Sequence, residues 1–67
     1  MFILVTDYDK QNELLLSAAN IITISPSSLH TGSFITTTDG LGINTVQDFK
    51  EIVSLIADGG IRRIENA

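Results

Sequence analysis

The chain has 67 residues, no cysteine and one histidine, and eight acidic against four basic side chains give it a formal net charge of −4. The lack of cysteine excludes disulfides and thiolate metal sites, and the acidic balance disfavours binding to the phosphates of nucleic acids or lipids. A chain this short buries only about 60% of its unfolded surface, so we expect further stabilisation from a second copy or another protein.

The first residues, Met1–Val5, form an apolar stretch that polar Thr6 and Asp7 end. A signal sequence needs roughly 7–15 apolar residues behind a positive segment, and a membrane-spanning helix needs about 20. Arg62-Arg63 is the only basic cluster and is too short for a nucleic-acid surface. We therefore expect a cytoplasmic protein with no membrane partner and no nucleic-acid partner.

The first half of the chain predicts three strands, because its apolar runs are rich in β-branched, aromatic and leucine residues. These strands are expected over residues 2–6, 13–16 and 21–25. Small residues at Ser17–Asn20 predict a single helical turn between the second and third strands. Pro26 ends the third strand because proline has no N–H to donate to a neighbouring strand.

Two further strands are predicted after a loop that is rich in serine and threonine. They cover residues 33–38 and 42–45, and the loop before them runs from Ser27 to Gly32. Asp39-Gly40 between the two strands predicts a hairpin with a type I′ turn, in which both central residues have positive φ.

A helix is predicted over residues 46–58, with Thr45 as its N-cap and Asp48 completing a variant capping box. Apolar residues that recur at helical spacing predict one buried stripe, formed by Val46, Phe49, Ile52, Val53 and Ile56. Gly59-Gly60 ends the helix, and residues 59–67 form a tail.

The order of these elements predicts one α+β domain over residues 1–67, with four or five short, mainly antiparallel strands followed by a C-terminal helix. One helix cannot cover both apolar faces of the sheet, where Phe2 and Leu4 point one way and Ile3 and Val5 the other. Either the sheet curls into a partly open barrel, or a second copy or another protein covers the remaining face. The candidate interface residues are Phe2, Leu4, Ile22, Ile24, Phe34, Ile61 and Ile64.

The residues with catalytic or metal-binding chemistry all have simpler structural interpretations. Asp7 and Asp9 could share a hard cation, but they lie in a turn. His30 is expected to be a surface residue of a flexible loop, which cannot hold a catalytic geometry. Gly40-Leu41-Gly42 lacks the third glycine and the helix of a phosphate-binding loop. We predict no catalytic, cofactor-binding or metal-binding residue, and no enzyme.

Serine and threonine are enriched from Thr23 to Thr38. The strand preference of threonine accounts for most of this enrichment. A second interpretation is a surface of hydroxyl groups that binds a partner or a small ligand.

The sequence also has a recognisable rhythm of short segments. They are Phe2–Asp7, Leu14–Leu16, Ala19–Ile24, Thr36–Gly40 and Thr45–Phe49. This pattern resembles the small flagellar-regulator family that includes FlbD and the swarming protein SwrD, and many bacterial and phage proteins of the same size. The resemblance implies a sheet of short strands, an Asp-Gly hairpin, a capped helix and the role of a non-enzymatic regulator or accessory factor. It assigns no functional residue.

Two functions follow from these interpretations. The first is a non-enzymatic protein-interaction module, a small accessory or regulatory factor that self-associates. The alternative is a small-ligand or nucleotide-binding protein, such as a phage-encoded inhibitor of a host factor, that uses the hydroxyl groups between Ser27 and Thr38.

Overall fold

A computed structural model describes residues 1–59, which form an α+β fold, as the sequence predicts. The elements are β1 Phe2–Thr6, β2 Glu13–Ser17, β3 Ile21–Pro26, β4 Ser33–Thr37, β5 Gly42–Thr45 and the helix α1 Phe49–Ala57. A 3-10 turn at Ala18–Asn20 connects β2 to β3. Among residues 1–59, no helix has the length and apolar character needed to cross a membrane. The predicted tail after Gly59 lies outside the described residues.

The strands form two antiparallel sheets, one made of β1 and β2 and the other of β3, β4 and β5 in that order. The first sheet is regular over five consecutive residue pairs, with Leu4 opposite Leu15 at its centre. The second sheet contains a register shift in β3 between Ile21 and Thr23. This shift is a β-bulge, which changes the direction of the side chains on either side of it.

The two sheets meet at one corner, where Asp7 forms an isolated bridge with Thr45. Two backbone hydrogen bonds flank this bridge: Val46 donates to the Thr6 carbonyl at 2.9 Å, and Tyr8 donates to the Asn44 carbonyl at 2.8 Å. The sheets therefore lean against each other without closing into a barrel.

Gln47 links this corner to both sheets through its side chain and its carbonyl. Its Oε1 accepts the Thr6 N–H at 2.9 Å, and its Nε2 donates to the Thr6 hydroxyl at 3.2 Å. Its carbonyl accepts from the hydroxyls of Ser33 at 2.8 Å and Thr45 at 3.0 Å, both of which are fully buried. Buried hydroxyls need such partners, because an unpaired one would cost about 1–3 kcal/mol.

The core lies between the two sheets and the helix. Its buried cluster consists of Ile3, Val5, Ile35 and Ile52, and half-buried Leu14, Leu16, Ile21, Ile24, Ile43 and Ile56 pack around it. Alternation along β1 directs Ile3 and Val5 inward, so Phe2 and Leu4 lie on the opposite face of the sheet.

The helix begins three residues later than predicted, at Phe49, and Asp48 rather than Thr45 is its N-cap. The Asp48 carboxylate accepts the Glu51 N–H at 2.8 Å, as an N-cap side chain should. Thr45 belongs to β5, and the Val46 N–H is bonded to β1. The backbone bonds at the corner between the sheets therefore keep Thr45 and Val46 outside the helix, although the spacing of apolar residues predicts a helix there.

The predicted apolar stripe of the helix is wrong in part. The helix buries Ile52 and Leu55, with Ile56 half-buried beside them, whereas Val46, Phe49 and Val53 are exposed. The segment has apolar residues on two sides, and periodicity alone did not identify the side that contains Leu55.

The β4–β5 turn is also not the predicted type I′ turn. The Gly40 N–H donates to the Thr37 carbonyl at 3.0 Å and the Thr37 N–H donates to the Leu41 carbonyl at 3.0 Å. Gly40 has a φ of 85°, and Asp39 has a negative φ. This pattern is a three-residue hairpin loop with glycine in the left-handed position, so β4 ends at Thr37. The Thr37 hydroxyl donates to the Asp39 carboxylate and lowers the pKa of Asp39 below its usual 3.8.

Replacing the N-cap tests the corrected start of the helix. We expect Asp48→Ala to lower the free energy of unfolding by about 1 kcal/mol, because the Glu51 N–H loses its acceptor. Urea denaturation followed by circular dichroism measures this change. Lys50→Ala, at an exposed position in the first turn, is the matched control and should change stability by less than about 0.5 kcal/mol. Equal stability of the two variants would contradict the assignment.

Candidate functional site

The outer face of the β1–β2 hairpin presents an apolar surface, which we call the outer patch: Phe2, Leu4 and Leu15. Leu4 lies directly opposite Leu15, and Phe2 is the diagonal neighbour of Leu15 in the register. The side chain of Phe2 is 51% exposed and that of Leu15 is 56% exposed, while Leu4 is half-buried between them. The structure thus brings together two predicted interface residues and adds Leu15.

The sequence interpretation missed Leu15 because Leu14–Leu16 is a run of three leucines, which hides the alternation of the strand. The pairing with β1 resolves it. Leu14 and Leu16 lie opposite Val5 and Ile3 and pack against the core, so Leu15 must face outward.

The predicted interface residues in β3 do not share one environment. Ile22 is 63% exposed and adjoins the β-bulge, whereas Ile24 is half-buried against the core. The bulge lets Ile21 and Ile24 both pack inward, which regular alternation would not allow. The predicted interface residues Ile61 and Ile64 lie outside the described residues.

Phe34 is half-buried on β4, with its ring over the backbone of Gly42 on β5. A Cβ atom added at Gly42 would approach the Phe34 Cζ to 2.5 Å, so the ring occupies the space that a side chain would fill. The ring also borders a groove of about 290 Å³ that Asn44 and the serine-rich segment from Ser25 to Leu29 line.

His30 lies in the loop before β4, where its ring is half-buried and makes several contacts. Its ring stacks on Tyr8 with centroids 3.9 Å apart, and its Nδ1 accepts the Gly32 N–H at 3.0 Å. Since Nδ1 is an acceptor, the neutral ring carries its proton on Nε2, which donates to Asn44 Oδ1 at 3.0 Å. No local sequence pattern predicts these contacts, because Tyr8 and Asn44 are distant along the chain.

The loop that carries His30 is tightly packed against β5. The Ser27 N–H donates to the Gly32 carbonyl at 3.1 Å, and the Leu29 N–H donates to the Ser27 hydroxyl at 3.0 Å. Gly32 is buried, and a Cβ atom there would lie 1.7 Å from the Thr45 carbonyl oxygen. This approach requires glycine.

A second groove, of about 380 Å³, lies on the other side of this loop, between Pro26–Ser27, His30–Gly32 and the start of α1 at Asp48–Lys50. Several hydroxyl groups of the segment from Thr23 to Thr38 are engaged within the protein. Those of Ser33 and Thr37 donate to internal partners, and those of Thr23 and Thr36 pair with each other on an exposed face.

The two aspartates of the first turn act locally. Asp7 Oδ2 accepts the Lys10 N–H at 3.0 Å, which shapes the turn, and Asp9 is exposed. Among residues 1–59, no three histidine or acidic side chains lie close enough together to hold a metal ion.

Comparison of the chain with models of protein families gives no match, and comparisons with curated proteins and with solved structures give none either. The resemblance to the small flagellar regulators therefore stays a prediction from the sequence. Function is inferred from the chain's own residues and distances.

Substitutions of His30 test the structural role of its ring. We expect His30→Phe to lower the free energy of unfolding by about 1–3 kcal/mol, because the Gly32 N–H loses its acceptor while an aromatic ring remains on Tyr8. His30→Ala should cost about 0.5–1.5 kcal/mol more, because the stacking is lost as well. Urea denaturation measures both changes.

Leu29→Ala is the control, since Leu29 lies in the same loop and is 88% exposed. It should change stability by less than about 0.5 kcal/mol. A His30→Phe protein as stable as this control would show that the two hydrogen bonds do not stabilise the loop.

Proposed function

We propose that the protein is a non-enzymatic interaction module, a small accessory or regulatory factor that binds a second copy of itself through the outer patch. The observation that supports this most directly is the exposure of Phe2 and Leu15 on one continuous face of a regular hairpin. Scattered exposed apolar residues are ordinary, but a contiguous group is typical of contact surfaces.

The packing of the helix explains why this face needs another cover. α1 packs against β3 and places Ile52 and Ile56 in the core, on the inner side of the sheets. The outer patch lies on the opposite side of β1 and β2. Full burial of a leucine or phenylalanine side chain is worth about 1.5–3 kcal/mol, so covering this half-exposed patch would offset part of the cost of association.

We propose non-enzymatic action because polar side chains of the loop from Ser27 to Gly32 already make hydrogen bonds that stabilise the fold. The two ring nitrogens of His30 are engaged by Gly32 and Asn44, and the hydroxyl of Ser27 accepts the Leu29 N–H. A regulatory role follows the resemblance to the small flagellar regulators.

Sedimentation equilibrium tests self-association. The native protein should form a reversible dimer at micromolar concentration, and Leu15→Asp should weaken the dimer at least tenfold, which corresponds to about 1.4 kcal/mol. The physical reason is the cost of burying a carboxylate in an apolar contact. Val53→Asp is the matched control, because Val53 is an exposed apolar residue of α1 outside the outer patch.

A native protein that stays monomeric over this range would contradict the proposal. So would a Leu15→Asp variant and a Val53→Asp variant that weaken the dimer equally, because the contact would then not lie at the outer patch.

The groove of about 290 Å³ beside Phe34 and Asn44 favours a second candidate function, the binding of a small ligand. Small-molecule pockets begin at about 300 Å³, and Ser25, Ser27 and Ser28 are among the residues that line this groove. It therefore suits a small polar ligand, of which a nucleotide is one class.

A thermal-shift screen with nucleotides tests this candidate. A ligand present at 100 times its Kd would stabilise the protein by about 2.7 kcal/mol, which raises the Tm of a small domain by about 10 °C or more. The Phe2→Asp variant, altered away from the groove, should show the same shift. Unchanged melting with every nucleotide would contradict this function.

A further inference from the structure

β2 is an edge strand with one row of backbone groups facing away from β1. The Asp7 N–H donates to the Asn12 carbonyl at 2.8 Å, and the Ala18 N–H donates to the Met1 carbonyl at 2.9 Å. Backbone groups alternate in direction along an antiparallel strand, so residues 14 and 16 also face β1. The N–H and C=O groups of Glu13, Leu15 and Ser17 therefore point outward, and within residues 1–59 no strand pairs with them.

Of the four edge strands, β1 and β5 are joined to each other at the corner by the Val46–Thr6 and Tyr8–Asn44 bonds. The other two, β2 and β3, differ in their protection against strand pairing. β3 has a β-bulge at Ile21–Thr23 and ends at Pro26, and both features hinder the addition of another strand. β2 pairs regularly over its whole length and contains no proline and no lysine. Of these two strands, β2 is therefore the one that is open to pairing.

The outward groups of β2 are self-complementary. If a second β2 lies antiparallel with its Leu15 opposite Leu15, then Glu13 of each copy faces Ser17 of the other. The Leu15 pair exchanges two N–H···O=C bonds, and in each Glu13–Ser17 pair the Ser17 N–H donates to the Glu13 carbonyl. The Ser17 carbonyl already accepts the first bond of the 3-10 turn, so the contact contains about four backbone hydrogen bonds. The only charged residue of the strand, Glu13, faces a hydroxyl rather than a second carboxylate.

We propose that two copies pair through β2 about a two-fold axis at Leu15 and form a continuous four-stranded sheet from their β1–β2 hairpins. This inference rests on the proposed self-association and narrows its contact within the outer patch to Leu15, because Phe2 and Leu4 lie on β1, one strand away from the partner. The two outer patches would then be adjacent on one face, with Leu15 of each copy at the centre.

A groove borders the edge of β2. This groove of about 200 Å³ lies along Leu15–Ser17, and Leu41 and Ile43 form its other side. Leu41 is exposed, so a strand that adds to β2 also meets apolar contact beyond the backbone hydrogen bonds. Edge pairing of this kind combines main-chain bonding with apolar side-chain contacts.

Disulfide trapping in the full chain tests this register, because the protein has no cysteine of its own. The Cα atoms of a hydrogen-bonded antiparallel pair lie about 5.5 Å apart, within the range that a disulfide spans. Under mild oxidation at micromolar concentration, Leu15→Cys should form a covalent dimer at least tenfold faster than Leu29→Cys, the exposed loop control.

The flanking positions give a second, independent readout. Glu13→Cys and Ser17→Cys should each cross-link slowly alone and rapidly when the two variants are mixed. Urea should abolish the difference between Leu15→Cys and Leu29→Cys, and circular dichroism shows whether each variant is folded.

Three other outcomes are possible, and each contradicts a different part of the proposed pairing. A native dimer by sedimentation, with Leu15→Cys no faster than Leu29→Cys, overturns the β2 contact and leaves the proposed function intact. Rapid cross-linking of Glu13→Cys alone overturns the register. A native monomer with no enhanced cross-linking overturns both proposals and leaves the edge to a strand of another protein.

Discussion

The hydrogen bonds at the corner between the two sheets are the constraint on which the rest of the structure depends. Gln47 bonds twice to Thr6 through its side chain, and its carbonyl accepts from two buried hydroxyls. These contacts hold β1 beside the end of β5, so Ile3 and Val5 can share one core with Ile35 and Ile52. A two-stranded hairpin alone would be only marginally stable in water. The corner therefore makes one hydrophobic core out of two small sheets.

This arrangement has a consequence for the outside of the molecule. The core uses the inner face of β1 and β2, and the single helix is placed against the other sheet. The outer face of the hairpin then remains uncovered, with Phe2 and Leu15 about half exposed. A chain of this size has little apolar surface to bury, so the exposed outer face is a substantial part of the apolar area that could stabilise it. Stability and recognition are thus linked, since a contact that covers this face also stabilises the fold.

Much of the architecture could be predicted from local pattern. Strand composition located β1 and β3, and Asp39-Gly40 located the last hairpin, because these features depend on neighbouring residues. The start of the helix could not be predicted, because the bond of the Val46 N–H to Thr6 is a contact between distant segments. The position of His30 escaped prediction for the same reason, since Tyr8 and Asn44 hold its ring. Exposure of Leu15 became evident only from the register with Leu4.

The account's central claim is that β2 is an open edge that a second copy closes, and amide hydrogen exchange tests it most directly. The amides of residues 14 and 16 point to β1 and should be protected at every concentration. Those of Leu15 and Ser17 should exchange quickly in dilute solution and slow at least tenfold as the concentration rises through the dimerisation range. Exchange at these two amides that is independent of concentration would contradict the β2 pairing.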